Sequence, residues 1–61
     1  MVVDRLRNEL DNRSITWYKL SQITNIRYEL LRRVFNGKRK LSADELLIIL
    51  EKTGIGFDDI K

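Results

Sequence analysis

The chain has 61 residues with no cysteine and no histidine, enough for one domain and one small core, since a chain of this size buries only about 60% of the surface it exposes unfolded. Disulfides, thiolate metal sites and thiol nucleophiles are excluded together, and the usual general base near neutral pH is missing, so neither an enzyme nor a cofactor-binding or metal-binding protein is expected. The formal charge of +3 is strongly segregated: from Arg13 to Lys40 eight basic residues accompany a single acid, Glu29, whereas residues 1–12 carry net −1 and residues 41–61 net −3.

A positive segment flanked by acidic ends is a footprint suited to a polyanion, of which nucleic acid is the commonest. The longest apolar run, Leu46 to Leu50, is far short of the roughly 20 residues that span a bilayer. The beginning of the chain is charged from Asp4 onward and lacks a secretory apolar stretch. No membrane is expected as partner, and the expected address is the cytosol. Without repeats or a proline-rich linker, residues 1–61 read as a single complete domain.

Val3, Leu6 and Leu10 follow the spacing of one helical face and predict a first helix of about three turns. Asp11-Asn12-Arg13-Ser14 is turn chemistry. Thr16 offers an N-cap hydroxyl for a second helix that runs to about Gln22, with Leu20 as its core residue. Thr24-Asn25 breaks the pattern; Asn25 suits the left-handed backbone of a tight inter-helix corner, which Ile26 plugs. A third helix is predicted from about Arg27 to Asn36, burying Leu31, Val34 and Phe35, with Gly37 just past its end. Ser42-Ala43-Asp44-Glu45 is a capping box, flanked by Leu41 and Leu46 as a hydrophobic staple. The fourth helix ends near Thr53 with Gly54 as its stop, and Gly56 to Lys61 leaves room for about one further turn. The expectation is all-α: four short helices and a stub.

From Ile15 to Gly37 the spacing of Ile15, Thr16, Leu20, Ser21, Ile26, Leu31, Val34 and Gly37 resembles, without a gap, the helix-turn-helix pattern of the phage repressor and Cro family. Lys38-Arg39-Lys40, Ser42 and Leu46-Leu47 are similar to the family's next helix, so the resemblance covers nearly the whole chain. It implies a compact four- to five-helix bundle of the lambda-repressor-like type, with helices 2 and 3 as the DNA-binding pair. Three positions depart from the pattern. Asn25 stands where glycine is usual. Arg27 replaces the Ser/Thr cap of the recognition helix, so that helix starts without its usual cap or Arg27 serves a ligand. Leu30 occupies a place that is usually small and polar.

In the docking mode the resemblance implies, the N-terminal part of helix 3 enters the major groove. At about 100° per residue, Glu29, Arg33 and Asn36 lie opposite the buried side, with Tyr28 at the exposed start and Arg32 on the flank. Tyr28, Glu29, Arg33 and Arg32 are the candidate base readers: a guanidinium fork matches guanine O6 and N7, and a carboxylate accepts from a cytosine amino group. The plainer reading of Glu29 and Arg33 is an i, i+4 surface pair. Thr16, Trp17, Arg27, Asn36, Lys38, Arg39 and Lys40 are the candidate phosphate contacts, against a plainer reading of the lysine-arginine cluster as a solubilising loop. Trp17 either donates its indole N–H to a phosphate or covers the core; for Tyr18 the core is the favoured place.

Leu46 to Leu50 cannot all face one small core. Ile48 falls opposite Leu46, Ile49 and Leu50, and with Phe57 and Ile60 it makes a candidate surface for a second copy or another partner. The leading expectation is a sequence-specific double-stranded-DNA-binding regulator, a phage or mobile-element repressor or Cro-like protein. It would bind an inverted-repeat operator in the bacterial cytosol or nucleoid, as a homodimer formed in solution or only on DNA, and act by promoter occlusion. The alternative is a protein-interaction module on the same fold, a phage-encoded inhibitor or antirepressor directed at a host protein.

Overall fold

The computed structural model describes residues 2–61 and arranges them as five helices, with no strand among the described residues. They are α1 (Val2–Asn12), α2 (Trp17–Thr24), α3 (Tyr28–Phe35), α4 (Ala43–Thr53) and α5 (Phe57–Ile60). α1 packs on α3 and α5, while α2 packs on α3 and α4. The result is a globule of 26 × 22 × 20 Å. Its core joins Leu6 and Leu10 of α1, Leu20 of α2, Leu31 and Phe35 of α3, Ile49 of α4, and Ile55 and Ile60 near the C-terminus. Half-buried Ile15, Ile23, Ile26, Leu41, Leu46 and Leu50 pack around it. Among the described residues no helix is long and apolar enough to cross a membrane.

Two devices end the four longer helices, and they alternate along the chain. α1 and α3 close with a pair of reversed backbone bonds. After α1 the amides of Ile15 and Ser14 donate to the carbonyls of Leu10 and Asp11 at 2.9 and 3.1 Å, with Ser14 at φ 58°. After α3 the amides of Lys38 and Gly37 donate to Arg33 and Val34 at 2.8 and 3.1 Å, with Gly37 at φ 76°. Each is a Schellman closure, which satisfies otherwise orphaned carbonyls and requires one residue at positive φ.

α2 and α4 instead end in threonine, a left-handed residue and isoleucine. The Thr24 hydroxyl donates to the Leu20 carbonyl at 2.7 Å and accepts from the Ile26 amide at 3.3 Å. The Thr53 hydroxyl does the same with Ile49 and Ile55 at 2.7 and 3.4 Å. Between them stand Asn25 at φ 63° and Gly54 at φ 75°. One side-chain hydroxyl thus stitches each corner from inside, and Thr24 is buried while doing so.

The helix starts follow the expected caps. The Thr16 hydroxyl accepts from the Lys19 amide at 3.1 Å. At α4 the Ser42 hydroxyl accepts from the Glu45 amide at 3.1 Å, and the Glu45 carboxylate accepts from the Ser42 amide at 3.0 Å. α3 starts at Arg27 without a side-chain cap.

Several boundaries and side-chain placements differ from expectation. Asp11 and Asn12 belong to α1 rather than to the turn, because the Schellman closure carries the helix ladder past them. α2 reaches Thr24, two residues beyond Gln22, because the Thr24 hydroxyl caps the final turn from within. α3 is shorter by a residue at each end, with Arg27 and Asn36 in cap positions. Tyr18 does not cover the core: it is 63% exposed, since it lies two positions from Leu20 and so points about 200° away from it. Ile60 is unavailable to any partner surface. α5 is a single turn held on α1, and Ile60, fully buried, is its anchor.

The Thr24 stitch makes a specific demand. Thr24→Val keeps the shape but leaves the partly buried Ile26 amide without its acceptor, which costs about 1 kcal/mol, the low end of the range for an unpaired buried donor. Thermal or denaturant unfolding of the variant should show a loss of that size; a loss under about 0.5 kcal/mol would mean that the hydroxyl does not hold the corner.

Candidate nucleic-acid interface

α3 has two faces. Leu31, Val34 and Phe35 are buried, whereas Tyr28, Glu29, Arg32, Arg33 and Asn36 are exposed. The apolar face sets the rotation of the helix, so burial of three side chains determines where the other five point. The expected Glu29–Arg33 pair is absent. Glu29 instead meets Arg32, one turn away, at 3.7 Å between exposed groups, a contact of the kind that contributes at most a few tenths of a kcal/mol. The Arg33 side chain forms no ion pair among the described residues, so its guanidinium fork stays open to solvent.

The end of α3 leads into the basic loop. The Schellman closure ties the Lys38 amide to Arg33, which fixes the backbone from which Lys38 departs. Lys38 and Lys40 are exposed and Arg39 is half-buried between them. Arg39 turns inward: Nη1 and Nη2 donate to Glu45 Oε1 and Oε2, each at 3.1 Å. This fork-to-fork pair is the strongest geometry open to a guanidinium and a carboxylate. The same carboxylate caps α4, so one acid both starts that helix and fastens the loop to it. Lys38 and Lys40 are therefore the freely presented cations of the cluster, and Arg39 is committed to holding the loop.

α2 meets this region through Trp17. Its ring stacks on Phe35 with centroids 5.4 Å apart and planes inclined by 16°, which brings the start of α2 beside the end of α3. Thr16 and Asn36 are the chain neighbours of these two stacked rings, and both are exposed. The Trp17 ring is half-buried against the core, and the Thr16 hydroxyl is occupied as a cap. Arg27, at the opposite end of α3, is exposed and caps nothing with its side chain. Leu30, beside the exposed face, is half-buried.

Elsewhere, on α4 and α5, apolar side chains are exposed to solvent. Leu47 is 64% and Phe57 55% exposed, and Ile48 is 38% exposed. Leu47 escaped the sequence reading because it sits inside five consecutive apolar residues, although helical geometry turns it about 100° from Leu46. A second feature missed was Arg7, whose guanidinium carbon lies 5.4 Å from the Trp17 ring centroid; contacts between two helices leave no local spacing to read. Among the described residues no group of three or more acids converges as a metal site would require.

The Glu45 carboxyl is held below its ordinary value of 4.5, chiefly by the Arg39 hydrogen bonds and further by the Ser42 amide, against the opposing effect of partial burial. A lowered folded-state pKa contributes stability that is fully present above the unfolded value and disappears as pH falls through the folded one. Glu45→Gln should therefore melt below the native chain at neutral pH, with the gap closing as pH falls below about 4. A constant gap across that range would show that the pair's charge contributes nothing. No family model, curated protein or solved structure matches this chain.

Proposed function

We propose that the chain is a sequence-specific double-stranded-DNA-binding regulator of the repressor or Cro-like kind, with α2 and α3 acting as a helix-turn-helix. The observation that carries this reading is α3 itself: three residues anchor it in the core while Tyr28, Glu29, Arg32, Arg33 and Asn36 stand clear on its outer face. In this reading the start of α3 enters the major groove. Arg33 is its main base reader, Tyr28 and Glu29 touch neighbouring base edges, and Arg32, released from Glu29, serves the flank. Lys38 and Lys40 carry the phosphate contacts, with Arg27, Asn36, Thr16 and Trp17 along the margins. Arg39 contributes by fastening the loop from which the two lysines extend, and any contact of its own would use the N–H groups not taken by Glu45.

In this reading a protein seated on duplex through α3 regulates by promoter occlusion in a bacterial cytosol. Leu47, Ile48 and Phe57 offer apolar surface for a second copy, and a dimer of this architecture addresses half-sites about 34–36 Å apart along the duplex. The same three side chains support a second reading, a protein-interaction module that inhibits a host protein.

Selection of bound duplexes from a random pool at about physiological salt, with the native chain and with Arg33→Ala, separates these readings. The native chain should enrich an inverted repeat with half-sites about 10 base pairs apart. The variant should lose preference at one base pair per half-site, worth about 1–3 kcal/mol of discrimination. A single enriched half-site would remove the dimer and keep the specificity. No enrichment from folded protein would overturn the DNA reading in favour of the protein-partner one.

A further inference from the structure

The first twelve residues carry net negative charge, which sets α1 apart from the basic segment in sequence but not in space. Arg7 leaves α1 toward α2 and places its guanidinium carbon 5.4 Å from the centroid of Trp17. Trp17 is itself immobilised by stacking on Phe35. One cation is thus held against Trp17, where the start of α2 meets the end of α3. A cation over an indole face is attracted by the ring, by about 0.5–1 kcal/mol at an exposed site. This contact does not consume the guanidinium's N–H groups.

Arg7 has no competing partner. Among the described residues its side chain forms no ion pair and no hydrogen bond, while Glu9 of the same helix is taken by Arg13 at 3.5 Å. An arginine that is positioned by an aromatic ring, yet keeps its donor fork open, loses less side-chain freedom on meeting an anion than a free surface arginine does. Arg5 shows the contrast. Two positions away, and so about 200° around the helix, it is exposed and among the described residues has no ring to hold it.

We propose that Arg7, positioned by Trp17, is a DNA backbone-phosphate contact, which extends the binding surface onto α1. This rests on the DNA-binding reading above. Its chemistry predicts a contribution independent of base sequence, because phosphate contacts release counterions and carry no sequence information.

The test measures affinity for one nonspecific duplex across a salt series for the native chain, Arg7→Ala, Arg7→Lys and Arg5→Ala, with folding of each checked by helical signal. Arg7→Ala should make the slope of log K against log salt shallower by about 0.9, the increment for one phosphate. Arg7→Lys should restore the slope, and Arg5→Ala should leave it native. Trp17 is the sole tryptophan, so its emission reports the same place: the change that duplex produces in the native chain should be smaller in Arg7→Ala. A native slope in Arg7→Ala, or an equal loss in Arg5→Ala, would overturn the Arg7 contact while leaving DNA binding intact. Failure of the native chain to bind any duplex would overturn both.

Discussion

The surface presented by α3 depends on how that helix is seated. It is only two turns long, and on its own so short a helix is unstable in water. Its shape and rotation come from the burial of Leu31, Val34 and Phe35, of which Leu31 and Phe35 join a core shared with α1, α2 and α4. The α2–α3 corner then sets its direction, through the Thr24 hydroxyl and the left-handed backbone of Asn25. A slip of one residue would turn the helix by about 100° and bring Arg33 toward the core. Burial and recognition are thus one constraint seen from two sides.

Charge follows a similar economy. The segment from Arg13 to Lys40 is heavily basic, but its cations have different duties. Arg13 reaches Glu9 and Asp59 at 3.5 and 3.8 Å and so ties α1 to α5. Arg39 holds Glu45. Arg32 leans on Glu29 through a weak exposed contact. Lys19, Arg27, Arg33, Lys38 and Lys40 form no ion pair among the described residues and remain open to an external anion. Net charge alone therefore overstates the positive surface within the segment and misses Arg7 outside it.

Local features were readable in the sequence because their causes lie within four residues. The Thr16 cap, the Ser42–Glu45 box and the left-handed Asn25 and Gly37 each follow from residue type at a fixed offset from a helix end. Features that depend on distant partners were not readable. Arg39 finds Glu45 across a loop, and Arg7 finds Trp17 across two helices. Ile60 is buried because α5 folds back on α1, nearly the full chain away. Within the apolar run of α4, residue type could not tell Ile49, fully buried, from Leu47, mostly exposed; only the rotation of the packed helix separates them. The outer face of α3 was legible for the opposite reason: its polar and apolar residues alternate cleanly at helical spacing.

The most direct test of the claim that α3 carries recognition is backbone amide shift mapping by nuclear magnetic resonance as a duplex is added. The largest changes are expected over residues 27–40, with smaller sets at Arg7, Thr16 and Trp17 and, where a second copy pairs on the duplex, around Leu47 and Phe57. Shifts centred on Leu47, Ile48 and Phe57 with α3 unaffected would contradict the account and place any nucleic-acid contact on α4 and α5 instead.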